Sequence, residues 1–227
     1  MTDIVIKPSN SGGSVKLQTE GGTNGLTMAS TGDLTTSGNV AVTGTMTGGT
    51  LGSSVNFPSG HIIQIKFVEF TGAQTIGNGS STGTTFVNIG SGVSGQEFSI
   101  DMSVSSGNKV LGFGNVNLTA SGRYSGIKVF YDSTQIALGD ASGSRSRMTV
   151  SAMRNNEALN DTFIMHNSSF VFNYTPSDTS SHTYKVQAGN TYSASVYTYV
   201  NRNNNDTSSY TYSHRGYSHF MLMEIAQ

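Results

Sequence analysis

The sequence predicts an all-β protein: a short intertwined triple-stranded β shaft followed by an antiparallel, jelly-roll-like β-sandwich head. Three observations carry this. Glycine recurs at Gly32, Gly38 and Gly44 in a tract otherwise rich in Thr, Ser, Asn and Asp, and an apolar residue follows each by two positions: Leu34, Val40 and Met46. From His61 onward, short apolar stretches alternate with period two and are separated by Gly/Ser/Asn turn clusters. Helix formers are scarce, because Ser, Thr, Gly and Asn make up nearly half of the 227 residues and only 11% are charged. Such a polar, glycine-rich chain could be disordered. The 10 Tyr, most of the 11 Phe and the alternating Val/Ile residues of the C-terminal two-thirds argue against that.

Composition also bounds function. The net charge is −1, so no field steers the chain toward nucleic acid. Cysteine is absent, which excludes a disulfide scaffold. No run approaches the ~18 apolar residues of a membrane span, and no membrane insertion is expected. Met1-Thr2-Asp3 leads into a short strand without the pattern of a signal peptide. The expectation is synthesis in a cytoplasm, with a surface suited to work outside cells, a pair of properties that fits a virion component released by lysis.

In chain order, residues 1–22 hold a strand at Ile4, Val5 and Ile6, a turn around Pro8 and Gly12–Gly13, and a second candidate at 15–17. Residues 23–56 are the glycine repeat and a hinge. Each hexad carries too few apolar side chains to bury against itself, so its core must come from neighbouring copies. Two further copies of the chain are the expected partners, with Leu34, Val40, Val42 and Met46 facing the shared axis. At Phe57-Pro58 the chain is forced to extend, and residues 57–227 form the head. HIIQIKFVEF at 61–70 is apolar on both faces and reads as a central strand. Residues 71–83 read as a polar loop. Strands follow at 85–89, 96–104 (Phe98, Ile100, Met102 and Val104 inward), 109–118, 126–131, 146–153, 163–173, 183–187, 192–200 and 218–226. A short helix is expected at 154–161. Nine or ten short strands without a βαβ pattern fit a double-sheet sandwich.

Catalytic and metal chemistry find little footing. No GxSxG elbow is present. Asp101, Asp132, Asp140, Glu157, Asp161 and Glu224 form no recognisable glycosidase pair. His61, His166, His182, His214 and His219 show no ligand spacing, and the Asn/Asp cluster at 201–206 lacks the ordered carboxylates of a calcium loop. No cofactor, metal or catalytic residue is expected. The tract 197–217 differs: Tyr197, Tyr199, Arg202, Asn204, Asp206, Tyr210, Tyr212, His214, Arg215 and Tyr217 combine rigid amphipathic rings with adaptable hydrogen-bonding groups, the chemistry of an adhesive surface. Cross-strand tyrosine packing in a solvated hairpin is the competing reading.

The repeat GNVAVTGTMTG at 38–48 resembles the thin Gly/Thr/Val repeat of fibre-like structural proteins of tailed bacteriophages, marine ones among them. FPSGHIIQIK (57–66), DSTQIALGDASGSRSR (132–147), TYKVQ (183–187), VNR (200–202) and MEIA (223–226) resemble segments of their heads. The resemblance implies a homotrimer with a β shaft, an N-terminal strand (Ile4, Val5, Ile6) docked on other tail or capsid proteins, and a head that contacts a host cell-surface glycan or protein. A shaft of 25–30 residues spans well under ~100 Å even when extended, so the implied appendage is stubby. A trimeric capsid-decorating or tail-scaffold protein without a receptor is the alternative, and a polysaccharide depolymerase is a third.

Overall fold

In a computed structural model, the protein is described over residues 15–18, 24–28, 34–36, 55, 57–77, 85–121, 125–151, 164–191, 196–209, 211 and 213–227. Ile4, Val5, Ile6, Val40, Val42, Met46, Tyr210 and Tyr212, together with the helix expected at 154–161, lie outside the described residues. The protein is all-β, with no helix among the described residues. The chain divides into two compact units, 1–55 and 56–227.

The first unit contains β1 (Val15–Gln18), β2 (Asn24–Met28) and β3 (Leu34–Thr36). They form an antiparallel meander in that order, with Val15 opposite Met28 and Leu26 opposite Thr36. The N-terminal segment and the glycine tract therefore pair with each other within one chain. Leu34, the first apolar residue of the hexads, opens β3.

The second unit runs β4 (Ile62–Phe70), β5 (Gln74–Ile76), β6 (Thr85–Asn88), β7 (Ser99–Ser103), β8 (Lys109–Ala120), β9 (Ser125–Tyr131), β10 (Thr134–Ile136), β11 (Val150–Ser151), β12 (His166–Tyr174), β13 (Ser181–Asn190), β14 (Thr198–Val200) and β15 (Ser218–Ile225). Two antiparallel sheets result. In the first, β8 is the spine. Gly114 lies between Phe220 and Phe170, and Leu118 lies between Val200 and His166. Thus β15 and β14 share one edge of β8 in succession, and β12 occupies the other. β4 and β5 lie outside β15 and β14. In the second sheet, β9 and β13 are central. β7 and β6 follow each other along the free edge of β13, and β10 and β11 do the same along β9.

The inner faces of the two sheets form one core that includes Phe70, Phe98, Met102, Val116, Ile127, Tyr184, Val186, Phe220 and Leu222. Burial of each such side chain stabilises by ~1.5–3 kcal/mol. Period-two alternation delivers them: Ile100 and Met102 of β7 are buried while Asp101 and Ser103 are exposed, and Phe220 and Leu222 are buried between half-buried His219, Met221 and Met223. Glycine has a packing role on β8. A Cβ at Gly112 would sit 2.2 Å from the Phe172 ring, and one at Gly114 would sit 2.0 Å from the Phe170 ring. The two rings occupy the space that missing side chains leave, stacked on each other at 6.4 Å and packed against Phe220.

Two expectations change. β4 pairs with β15 alone among the described strands, so it is an outer strand of its sheet and not a central one. Its second apolar face, Ile65 and Phe67, is exposed. The tract read as a polar loop at 71–83 contains β5, whose Gln74 and Ile76 are buried. Gln74 is legible only in three dimensions: its amide accepts from Gly90 N–H (2.9 Å) and donates to the carbonyls of Asn88 and Ser91, joining β5 to the turn after β6. Further along the same seam, Gln64 and Lys66 of β4 donate to the β7 carbonyls of Ser103 and Asp101. At the opposite margin, β11 and β12 flank an open groove of about 520 Å³ lined by Leu138, Met148, Val150 and Val171.

Candidate functional site

The segment 201–217 connects β14 to β15 and is built from its base upward. Asn201 has a left-handed backbone (φ 56°), a conformation that Asn tolerates better than most residues. Its side chain is fully buried. Its amide donates to the carbonyls of Phe70 and Gly72 and accepts from the Ser218 hydroxyl (2.6 Å). Gly216 N–H donates to the Asn201 carbonyl (2.8 Å), and a Cβ at Gly216 would press on Asn117 at 3.0 Å. The two ends of the loop are therefore pinned together.

Above the base, Arg202 forms the frame. Its guanidinium lies 4.6 Å over the Tyr199 ring and donates to the carbonyls of Asn203 and Asn204 and to Thr75 Oγ1. Asp206 accepts from Arg215 at 2.7 Å and lies 3.5 Å from Arg202. The Ser213 hydroxyl donates to Asn203 Oδ1 and to the Asn205 carbonyl, and accepts from Thr207 N–H. Tyr199 is only 8% exposed, since Arg202 covers it and Tyr197 stacks beside it at 6.2 Å. Burial raises its phenol pKa.

Of the expected contact residues, the structure gathers Tyr197, Tyr199, Arg202, Asn204, Asp206 and Arg215 into this one cluster. Arg215 is its outward cation, with a 60% exposed side chain, and His214 beside it is exposed. Tyr217 belongs to a separate group on the outer face of the first sheet. It is 43% exposed, donates to Glu69 Oε1 at 2.9 Å and lies 5.8 Å from the His219 ring. Its bond to Glu69 holds the phenol pKa up.

That outer face is ordered in rows by register. Glu69, His219, Asn115 and Ser169 lie side by side across β4, β15, β8 and β12. The next row is Phe67, Met221, Phe113 and Val171, and the next is Ile65, Met223, Leu111 and Asn173. A last row pairs Ile225 with Ile62 and Lys109. His219, Met221, Met223 and Ile225 alternate along β15 onto this face, turned away from the core that takes Phe220 and Leu222.

Two ionic clusters went unread in the sequence. His182 of β13 lies between Asp132 (2.7 Å from Nδ1) and Asp178 (2.9 Å from Nε2), and the Tyr131 ring stacks 4.4 Å away. Both carboxylates require a donor, so the cluster favours the imidazolium. The bond to Asp132, then that to Asp178, raises the His182 pKa. The bond to His182 and the Thr183 N–H lower Asp132, while the Ser180 hydroxyl and then His182 lower Asp178. The residues are distant in sequence, and the one local sign is the His182–Asp178 spacing of four. Glu224, 1% exposed, is the second case. Burial pushes its pKa up, and the donors Gln64, Asn108 and Ser105 outweigh burial and bring it down. The donors lie at 2.6, 2.7 and 2.8 Å, so Glu224 ties β4, the β7–β8 turn and β15 together as a structural anion.

No group of three or more His, Cys, Asp or Glu side chains among the described residues is arranged to hold a metal ion; in the His182 cluster both ring nitrogens are taken up by the two carboxylates. Asp101 is engaged by the Thr183 hydroxyl on the outer side of the second sheet, while Asp132 and Glu224 are committed to the contacts above. Glu157 and Asp161 lie outside the described residues. No helix among them is long and apolar enough to cross a membrane. No protein-family model matches the chain, and no curated protein sequence is significantly similar to it.

Proposed function

We propose that this chain is a structural virion protein: a trimeric phage tail fibre, or a fibre-like appendage, whose head adheres to a glycan or protein of the host surface. The observation that carries the reading is the 201–217 loop. Its base is locked by Asn201 and Gly216, and its frame is held by Arg202 and Asp206. Arg215, His214 and, beside the loop, Tyr217 remain turned outward. A preorganised loop that presents a cation and a ring loses little entropy on binding.

The jelly-roll reading of the head is supported by strand order. The chain alternates between sheets so that its first and last ribbons are neighbours, β4–β15–β8–β12 facing β7–β13–β9–β10. The shaft reading rests on the six-residue period, with Leu34, Val40, Val42 and Met46 shared among three copies. In it, Ile4, Val5 and Ile6 dock on other tail or capsid proteins.

A decorating or scaffolding role without a receptor has one observation in its favour. Arg202, Asp206 and Ser213 spend their polar groups inside the loop. Pelleting of the labelled full chain with envelope fractions from a panel of bacteria separates the two. Adhesion predicts saturable binding that His214→Ala/Arg215→Ala weakens at least ~10-fold with strand content and solution mass unchanged. Absence of binding to every fraction would leave the decorating role. Release of reducing ends from envelope polysaccharide would replace both with a depolymerase.

A further inference from the structure

The two sheets of the head differ on their solvent sides. On the second sheet most outer positions are polar and several are mutually bonded, Thr183 with Asp101 and Gln187 with Asn88; the two rings there, Phe86 and Phe130, are half-buried, Phe86 beneath Lys128. On the first sheet, two successive rows are apolar across nearly all four ribbons, with Phe67 51%, Ile65 54% and Val171 62% exposed. A sandwich needs one apolar face per sheet, and the first sheet has two. Exposed apolar area of this extent on one contiguous face marks an interaction surface.

We propose that the outer face of the first sheet is where copies of this chain associate, with the Phe67 and Ile65 rows of one copy packed against the same face of its neighbours. This rests on the trimeric reading above and gives that trimer its head contact. Three arguments select a second copy as occupant. Four ribbons ~4.8 Å apart and a four-residue span at ~3.3 Å per residue give a plan area of about 250 Å² for the two rows. Protruding aromatic and Met side chains raise the accessible area toward the ~800 Å² per partner of a specific interface. The two rows contain no charged side chain, since Glu69 and Lys109 lie in the rows that flank them. A glycan or nucleic acid would find a single amide, Asn173, and no charge there, whereas an identical apolar face is a close complement. β4 is also the first described strand after the repeat tract, so association of the repeats tethers the β4 strands of the copies and raises their effective concentration. Around a closed three-fold, each face is divided between two neighbours.

The test is the solution mass of the full chain by sedimentation, with Phe67→Lys/Val171→Lys as the interface variant and Gln187→Lys on the opposite sheet as control. Both interface side chains are more than half exposed, so the strand signature of the head is expected to survive. The expected result is an oligomer for wild type and control, and for the variant an apparent dissociation constant at least ~100-fold weaker with mass moving toward the 23.9 kDa chain. An oligomer undisturbed by the double substitution but dissociated by deletion of 25–49 would overturn this interface and leave the trimer standing. A wild-type monomer at 23.9 kDa would overturn both.

Discussion

Gly114 of β8 offers a perturbation in which two physical effects oppose each other in sign. Its φ is not in the left-handed region, so Gly114→Ala should gain ~0.5–1 kcal/mol by restricting the unfolded chain. The added methyl, however, would meet the Phe170 ring at 2.0 Å. That ring is held between the stacked Phe172 and Phe220, at 6.4 and 6.1 Å. Overpacking of this kind costs ~1–3 kcal/mol. Phe170 lies on the outer ribbon of its sheet and retains 8% exposure, so part of the strain relaxes and the net destabilisation should be about 1–2 kcal/mol. For a protein of this size that is a fall in Tm of about 2–8 °C. Thermal unfolding by circular dichroism measures it, and urea titration gives the free energy. Gly114→Ala combined with Phe170→Leu should cost less than the two single substitutions added, because the smaller side chain vacates the contact. A rise in Tm on Gly114→Ala, or strict additivity in the cycle, would refute the claim that the glycine exists to seat the ring.

Two further outcomes concern the ionic clusters. The raised pKa of His182 supplies stability that is complete below its ordinary value of about 6.5 and is lost as pH climbs through the raised folded value. The depressed Asp132 and Asp178 supply stability that is present above about 4 and is lost as pH falls through their folded values. The cluster therefore contributes most between about pH 4 and 6.5. His182→Gln should flatten the alkaline limb of the urea midpoint plotted against pH, and superimposable limbs would dismiss the imidazolium. Glu224→Ala strands the Ser105 N–H and two side-chain amides. It should lower the unfolding free energy by about 2–3 kcal/mol, and a loss below about 1 kcal/mol would show that water replaces the carboxylate.

Much of the fold is legible where one strand face is apolar and the other polar. β7 is the clearest case: Phe98, Ile100, Met102 and Val104 read inward from spacing alone and are buried. The same rule misplaces β4. Two apolar faces are as compatible with a central strand as with an outer strand whose second face awaits a partner, and a single chain carries no information to separate them. β5 escapes notice because its buried polar residue, Gln74, is satisfied by backbone of another strand and not by sequence neighbours. The candidate site divides along the same line. Composition picks out 197–217 as a contact tract, but it cannot tell that Tyr199 and Arg202 cover each other while Arg215 and Tyr217 face outward. His182, Asp132 and Asp178 meet only because β9 and β13 pair.

The seam where Gln64, Lys66 and Gln74 reach across to backbone carbonyls has a consequence for how the protein avoids polymerising. An open strand edge is a template: any extended chain can lie along it, and the new edge it creates can accept another, without limit. Here the β7 carbonyls of Asp101 and Ser103, which such a chain would use, are already filled by side chains of the facing sheet. One of those side chains carries a positive charge that would have to be displaced. Growth by strand addition is blocked along this margin, which favours assemblies that close on themselves over fibrils that elongate.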